Sequence, residues 1–212
     1  MDSLLRPYRV ILADPPWDYR NWTDSAHGAA DSAMETMATA DIANIPVGRW
    51  ANDGGCLLAM WATWPKLEDA FSLIRAWGFE FVTGWPWVKT LPARGEIRRG
   101  IGFWSQSCSE PMLLARRGKT PRPDAGEPLI GLLHGADERV FYAPRGIHSE
   151  KPLEVHAWLE TLPGPRLELF ARRERPGWTC YGLDIGWRLG PDGATPVALP
   201  PAGALFHNGG IQ

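Results

Sequence analysis

The sequence predicts an α/β protein built as one domain around a mainly parallel sheet with helices on both faces. The chain has 212 residues, which is the length of a single domain of ordinary size. Seven short runs rich in branched and aromatic side chains read as strands. Segments with helical periodicity lie between several of these runs, and strands that alternate with helices are typical of a parallel sheet.

Each predicted strand is a short apolar run bounded by polar, glycine or proline residues. Branched and aromatic side chains suit a pleated surface that is buried on at least one face. The first run, YRVILA, ends directly at Asp14 and two prolines. In chain order, the predicted strands are residues 9–13, 56–60, 79–88, 111–115, 140–142, 166–170 and 178–183.

Three helices are predicted between the strands. Residues 41–50 have a short helical pattern, which Pro46 interrupts. Residues 65–77 place several apolar side chains on one face, and Gly78 provides a stop signal. Residues 152–162 are more loosely periodic and begin with a proline, which the first turn of a helix tolerates.

Three long segments without periodicity are predicted as loops, at residues 18–38, 90–104 and 118–131. Loops of this length inside a compact domain are usually functional or disordered. The predicted domain covers residues 1–189. The remaining residues, 190–212, form a tail rich in glycine, proline and alanine that we expect to be poorly ordered.

The composition predicts a cytoplasmic protein that does not enter a membrane. No run approaches the ~18 apolar residues needed to span a bilayer, and the N-terminus lacks a basic region followed by an apolar stretch. The three cysteines are widely spaced and odd in number, which favours reduced thiols over disulfides or a zinc site. The five histidines show no metal-ligand spacing, so we expect no metal.

The charge of the chain is unevenly distributed. Its formal net charge is −2, which excludes a generic binder of polyanions. Residues 94–122 nevertheless contain seven basic and two acidic residues, a net charge of +5. A basic stretch on an acidic body suits a nucleic-acid groove, although a solvated loop would have the same composition.

The sequence Asp14-Pro15-Pro16-Trp17 forms a rigid corner that is rich in hydrogen-bond acceptors. Neither proline has an N–H group, so the Asp14 carboxylate and the nearby carbonyls are available to accept. An exocyclic amino group of a base donates in its plane and fits such a corner, and Trp17 offers a flat face for the base. The same residues also suit an ordinary turn.

Two further constellations lie in the C-terminal half. The HSEKP sequence precedes a predicted helix, so Lys151 and the helix N-terminus are available to an anion. The predicted strand 166–170 ends in a polar turn, and the predicted strand 178–183 leads into Asp184. A carboxylate at this position can accept hydrogen bonds from sugar hydroxyls, as in ribose-binding sites.

Taken together and in this order, these motifs resemble the adenine-N6 methyltransferases related to the seventy-kilodalton subunit of mRNA (N6-adenosine) methyltransferase. The small bacterial and phage members are the most similar. The resemblance runs from about Tyr8 to Asp184. It is carried by ADPPW (13–17), LLAMWAT (57–63), WGFEFVTGWPWVK (77–89), GFWSQSCSEPMLLARRGK (102–119), HSEKP (148–152), LELFARR (167–173) and GWTCYG (177–182).

The resemblance implies a Rossmann-like, seven-stranded methyltransferase domain in permuted order, with the catalytic strand first and the cofactor strands last. The implied cofactor is S-adenosylmethionine, and the implied acceptor is the N6 amino group of adenine. The residues that would hold the target base are Asp14, Pro15, Pro16 and Trp17. Those that would bind the cofactor are Ser149, Glu150, Lys151, Phe170, Arg172, Gly182 and Asp184.

The implied partner is nucleic acid, with DNA favoured over RNA, and the protein could act as a homodimer or heterodimer. The residues expected on the substrate side are Tyr19, Lys89, Arg98, Arg99, Trp104, Glu110, Arg116, Arg117 and Lys119. Three alternatives stay open. They are an RNA adenine-N6 methyltransferase, a cytosine-N4 methyltransferase, and a catalytically silent subunit that only binds nucleic acid.

The chain departs from the family pattern at three places. The lead before the first predicted strand is short, although larger members use such a segment to contact the cofactor. The usual Gly-Asn-Glu or Gly-Asn-Gln after the last strand reads Gly182-Leu183-Asp184, which keeps a carboxylate and loses an amide. Glu174 and Arg175 replace the His-Asn pair of the eukaryotic catalytic subunit.

Overall fold

The structure is a computed structural model that describes residues 7–18, 35–91, 96–97, 107–120, 141–144, 146 and 150–198. Seven strands in this part of the chain form one sheet, as predicted. Their bounds are β1 Val10–Ala13, β2 Gly55–Trp61, β3 Glu80–Thr90, β4 Ser109–Gly118, β5 Phe141–Pro144, β6 Arg166–Leu169 and β7 Trp178–Tyr181.

The strand order in the sheet is β5-β3-β4-β2-β1-β6-β7, so β1 lies inside the sheet between β2 and β6. It pairs with both of these neighbours in parallel. β4 is the exception, since it runs antiparallel to both β2 and β3. An antiparallel neighbour needs no helical crossover, and β4 follows β3 without a helix in the described residues. The predicted mainly parallel α/β sheet is therefore confirmed.

In the part of the chain that the structure describes, four α-helices connect the strands: α1 Thr39–Ala43, α2 Val47–Trp50, α3 Leu67–Ala76 and α4 Leu153–Glu160. The helix predicted over residues 41–50 is thus two short helices, because Pro46 stands where the chain would have to continue α1. A 3₁₀ turn, Trp64–Lys66, precedes α3. Within the described residues, no helix is long and apolar enough to cross a membrane.

Both faces of the sheet are buried, which explains why its inner strands are almost continuously apolar. One core lies under α1, α2 and α3 and contains Ile11 and Met60 from the sheet. The other core lies under α4 and contains Val10, Trp61 and Trp87. A partly buried hydrogen bond of 3.0 Å between His156 Nε2 and Glu168 Oε2 also joins α4 to β6.

A hairpin near the C-terminus is absent from the predicted elements. It consists of β8 Trp187–Gly190 and β9 Gly193–Pro196. Leu189 enters the core under α1 to α3, and the Trp187 ring lies 5.2 Å from that of Tyr181. Regular structure therefore continues past residue 190, where the sequence predicts a tail. The division into residues 1–189 and 190–212 stays a prediction.

Candidate active site

The predicted site residues converge on the carboxyl edge of the parallel strands, where open α/β sheets bind their ligands. Asp14 follows the last residue of β1, Phe170 follows β6 and Gly182 follows β7. Because β4 is antiparallel, its second residue, Glu110, lies at this same edge. Three parallel strands and one antiparallel strand thus bring distant segments of the chain to one place.

Lys151 is the centre of the charged groups at this edge. It lies two residues before α4, and its Nζ is 2.8 Å from both carboxylate oxygens of Asp14. The same Nζ is 3.5 Å from Glu110 Oε2, and the ammonium of Lys89 pairs with the other oxygen of Glu110. Lys89, Glu110, Lys151 and Asp14 therefore form a row of alternating charges, which we call the charge row.

Burial and neighbouring charges shift the pKa values of Glu110 and Lys151, the two inner members of the charge row, in opposite directions. Burial disfavours the ammonium of Lys151, but the carboxylates of Asp14 and Glu110 outweigh it and raise the pKa of Lys151. Burial likewise disfavours the Glu110 carboxylate, but Lys151 and Lys89 outweigh it and lower the pKa of Glu110. Both groups are consequently ionised at neutral pH, so Lys151 donates hydrogen bonds and cannot accept a proton.

Trp61, the last residue of β2, is a further residue of the site that was not among the predicted ones. Lys151 Nζ lies 5.7 Å from the centroid of its ring, at the distance of a cation–π contact. The indole is 1% exposed and forms one wall of the charge row. Its position at the end of a predicted strand beside the Asp14 corner was the signal that could have identified it.

The proline corner takes part in the packing of its own loop. The Pro15 carbonyl accepts a hydrogen bond of 2.9 Å from the Trp17 N–H, and the Pro16 carbonyl accepts one of 2.9 Å from Met37. Trp17 is only 5% exposed and belongs to the core under α1 to α3. The Trp17 ring is therefore packed inward in this structure, and its predicted role as a stacking face for the target base stays a prediction.

The residue after β6 has an unusual backbone conformation. Phe170 has a φ of +63° and is the sole non-glycine residue with positive φ in the described part of the chain. This left-handed conformation is costly for a residue with a Cβ, and such strain is concentrated at functional sites. Phe170 lies at the edge of the sheet next to Asp14, where the cofactor is predicted to bind.

The remaining predicted cofactor residues surround this turn. Arg172 lies close enough to Lys151 for its charge to oppose protonation of that lysine. Asp184 is exposed in a 3₁₀ turn, Leu183–Ile185, directly after β7. Glu150 forms an ion pair with Arg173 on the protein surface. Ser149 lies outside the described residues.

Gly182 is required by the close approach of two backbones. A Cβ at this position would overlap the carbonyl oxygen of Ala171 and lie 2.7 Å from its amide nitrogen. Ala171 in turn donates a hydrogen bond of 2.9 Å to the Tyr181 carbonyl. The backbone at the end of β7 is thus in direct contact with the backbone of the turn after β6, beside Phe170.

We expect Gly182→Ala to lower the free energy of unfolding by about 1–3 kcal/mol, because backbone cannot move aside as a side chain can. Gly190→Ala is the matched control. A Cβ at Gly190 would meet no atom within 4 Å, so its effect should stay within about 0.5 kcal/mol. Urea unfolding of the two variants compares them, and equal losses would contradict the role assigned to Gly182.

Part of the predicted substrate side lies elsewhere. Arg116, Arg117 and Lys119 are at the far end of β4, near the edge of the sheet opposite Glu110. Arg116 makes two hydrogen bonds of 3.1 Å to Glu80. Arg117 bonds to the Gly48 carbonyl and, at 3.0 Å, to Asp53. This is a correction to the expected grouping, since the antiparallel direction of β4 carries its basic end away from the site.

Lys89 and Glu110 are the predicted substrate residues that the structure brings to Asp14. Four others lie outside the described residues, so the structure does not test their placement. They are Tyr19, Arg98, Arg99 and Trp104.

Two of the three free cysteines, Cys56 and Cys180, have thiols whose pKa is raised. Cys56 is the second residue of β2, at the opposite edge of the sheet, and burial raises the pKa of its thiol to about 12. Burial and the Glu168 carboxylate raise the pKa of the Cys180 thiol to about 11. Both are neutral thiols at neutral pH and are therefore poor nucleophiles.

Comparison with known proteins agrees with this arrangement. The family model described as MT-A70 matches residues 8–184, which span β1 to the turn after β7. The chain is 28% identical to the Type II methyltransferase M.MunI of Mycoplasma sp, over 96% of this chain and 85% of that protein.

Eukaryotic proteins are also similar, but they are much longer. The N(6)-adenosine-methyltransferase catalytic subunit METTL3 of Homo sapiens is 32% identical over 198 residues, which is 90% of this chain and 30% of METTL3. The N(6)-adenosine-methyltransferase MT-A70-like protein of Drosophila melanogaster is 30% identical over 88% of this chain and 28% of its own length. The chain therefore spans less than a third of these two relatives.

Proposed function

This chain belongs to the MT-A70 family of methyltransferases, and we propose that it transfers the methyl group of S-adenosylmethionine to the N6 amino group of adenine in DNA. The charge row is the observation that supports this proposal most strongly. It puts an acceptor, the Asp14 carboxylate, directly beside a donor, the Lys151 ammonium, with 2.8 Å between them. Adenine presents the complementary pair on one edge, with the N6 amino group as donor and N1 as acceptor.

Asp14 has acceptor capacity left for the target amine. A carboxylate has about four lone-pair positions, and Lys151 contacts each of its two oxygens once. The Pro15 carbonyl also keeps a second lone pair after it accepts from Trp17. Hydrogen bonds from both amino hydrogens to these acceptors would favour a pyramidal nitrogen whose lone pair is free to attack.

Electrostatics favours the transition state over the bound substrate. As the new carbon–nitrogen bond forms, the bond from the methyl carbon to the sulfonium sulfur breaks and the neutral thioether leaves. Positive charge then develops on the amino nitrogen, and a fixed carboxylate beside it stabilises that charge. Lys151 holds Asp14 in place and, as an ammonium, cannot take the proton that the amine later loses. This proton would pass to the Asp14 carboxylate or to water. Good alignment of the two reactants contributes further, within the ~7–11 kcal/mol available from positioning.

The residues after β6 and β7 and just before α4 fit the chemical groups of S-adenosylmethionine. This donor supplies an electrophilic methyl group on a sulfonium. Arg172 and Lys151 are cations suited to a carboxylate. Asp184 is an exposed acceptor at the end of β7, where ribose hydroxyls can donate to it. Phe170 provides an apolar ring at the strained turn, and Glu150 can accept from an ammonium.

The proposed preference for DNA is supported by the relative of comparable length. M.MunI is named a Type II methyltransferase, and the chain spans 85% of it. METTL3 is named an N(6)-adenosine-methyltransferase, and the chain spans 30% of it. In a duplex the target base must be flipped out of the stack, at a cost of a few kcal/mol that the site has to offset.

The test is incubation of the purified protein with labelled S-adenosylmethionine and separate DNA and RNA pools, followed by nucleoside analysis. We expect N6-methyldeoxyadenosine from DNA at a rate at least tenfold above N6-methyladenosine from RNA. N6-methyladenosine as the main product would reverse the polymer preference. N4-methyldeoxycytidine, or no methylated nucleoside with any pool, would overturn the proposed reaction.

A further inference from the structure

Trp64 differs from the other tryptophans of the described chain in its exposure. Eight of these tryptophans are at most 9% exposed, whereas Trp64 is 46% exposed. It is the first residue of the 3₁₀ turn that follows β2. Trp64 therefore lies at the carboxyl edge of the sheet, three residues beyond Trp61 of the charge row.

Two sets of hydrogen bonds hold this turn in place beside the site. The Trp64 indole donates from Nε1 to Ser109 Oγ at 3.0 Å, and Ser109 immediately precedes Glu110. Two residues further along, Lys66 donates to Asp18 at 3.1 Å and to Asp69 at 3.0 Å. Since Asp18 follows the proline corner, the turn is tied to both sides of the candidate active site.

The position of Trp64 relative to Glu110 follows from the pairing of β2 with β4. Trp61 is opposite Met112, and the Ala62 N–H donates to the Pro111 carbonyl at 3.0 Å. The Trp64–Ser109 bond extends this contact one step beyond Glu110, to the first residue of β4. The ring thus lies outside the charge row, at its mouth, and not inside it.

A half-exposed indole that is fixed at its N–H end presents its π-surface in a defined place. Bases stack on such surfaces with little dependence on sequence, because every base has a π-face. Substitution of a stacking aromatic residue typically weakens binding about 5- to 150-fold per base. Extrusion of a target base also leaves its neighbours with a broken stack, which an aromatic ring at the mouth can replace.

We propose that Trp64 is a binding residue that stacks on the nucleotide adjacent to the target adenine and so holds the extruded strand at the mouth of the site. This inference rests on the proposed function, because it requires a nucleic-acid substrate whose target base enters the charge row.

The test compares wild type, Trp64→Ala and Trp64→Phe on single-stranded oligonucleotides with one adenine. One oligonucleotide is intact. Each of the two others carries a single abasic site, which is 5′ of the adenine in one and 3′ of it in the other. Affinity is measured by fluorescence anisotropy and methyl transfer by single turnover. We expect Trp64→Ala to weaken binding of the intact strand about 5- to 150-fold with little change in the rate of the bound complex, and Trp64→Phe to retain most of the affinity.

The abasic strands separate stacking from a general effect on folding. Wild type should bind one of the abasic strands about as weakly as Trp64→Ala binds the intact strand. Trp64→Ala should bind this abasic strand only slightly more weakly than the intact one. Equal affinity of wild type and Trp64→Ala, or an abasic penalty that adds fully to that of the substitution, would overturn the proposal. Failure of wild type to methylate adenine would overturn the proposed function instead, while the affinities would still decide the role of Trp64.

Discussion

Asp14→Asn is expected to reduce the rate of methyl transfer by at least about 10³-fold. The loss of a single preorganised electrostatic contact typically costs about 10²–10³ in kcat. Here the substitution removes the negative charge that faces the developing positive charge on the target nitrogen. It also replaces one of the two oxygens that Lys151 contacts at 2.8 Å, so the lysine loses its orientation.

The measurement is a single-turnover assay with labelled S-adenosylmethionine, and calorimetry should show that the variant still binds this donor. Asp18→Asn provides the matched control. Asp18 is also a carboxylate paired with a lysine, Lys66, but it lies beyond the proline corner. Its replacement should change the rate less than about tenfold. A folded Asp14→Asn protein that works within tenfold of wild type would contradict the mechanism.

Lys151→Met is expected to lower the free energy of unfolding by about 3–5 kcal/mol as well as to abolish activity. Removal of one partner of a buried ion pair leaves an uncompensated charge, which usually costs about 3–5 kcal/mol of stability. In this variant Asp14 and Glu110 would face each other without the ammonium that separates them. Urea unfolding at constant pH measures the loss.

The sign of the pH dependence distinguishes this explanation from simple loss of packing. In wild type the folded-state pKa of Glu110 is lowered. Its contribution to stability is therefore present above its unfolded pKa and is lost as the pH falls through the lowered value. In Lys151→Met the uncompensated negative charge takes up a proton more readily in the folded state. The difference in the free energy of unfolding between wild type and Lys151→Met should therefore shrink as the pH is lowered from 8 to 5.

The double variant Lys151→Met with Asp14→Asn completes the cycle. Because the pair is then neutral, it should recover a large part of the stability lost in Lys151→Met while it stays inactive. A loss of stability that is independent of pH, or one that the second substitution leaves unchanged, would show that the charges of Lys151 and Asp14 are not coupled.

Local features of the sequence were sufficient for most of the fold. Each of the seven strands is a short apolar run whose side chains suit a buried sheet, and all seven were found near their predicted positions. Pro46 divided a predicted helix because it has no N–H and constrains its own φ. The hairpin from Trp187 to Pro196 was missed because its short strands are rich in glycine and polar residues, and it is held by a core that only the folded chain creates.

Local sequence features also predicted part of the candidate site. Asp14, Glu110 and Lys151 were identifiable because each lies in a motif of unusual composition. That Lys151 would pair with Asp14, 137 positions away, depended on the parallel pairing of β1 with β6 and on the start of α4. No local pattern encodes such a contact, since it arises from how separate elements are arranged.

The sequence by itself determined the α/β class, the strands and the residues able to carry the chemistry, because these depend on side-chain type and short-range periodicity. Tertiary structure alone decided which of them meet. The antiparallel direction of β4 brought Glu110 to the site and took Arg116 away from it. Packing buried Trp17 and left Trp64 exposed at the mouth. Two tryptophans of identical chemistry differ in this way because burial is set by long-range contacts, not by the residue.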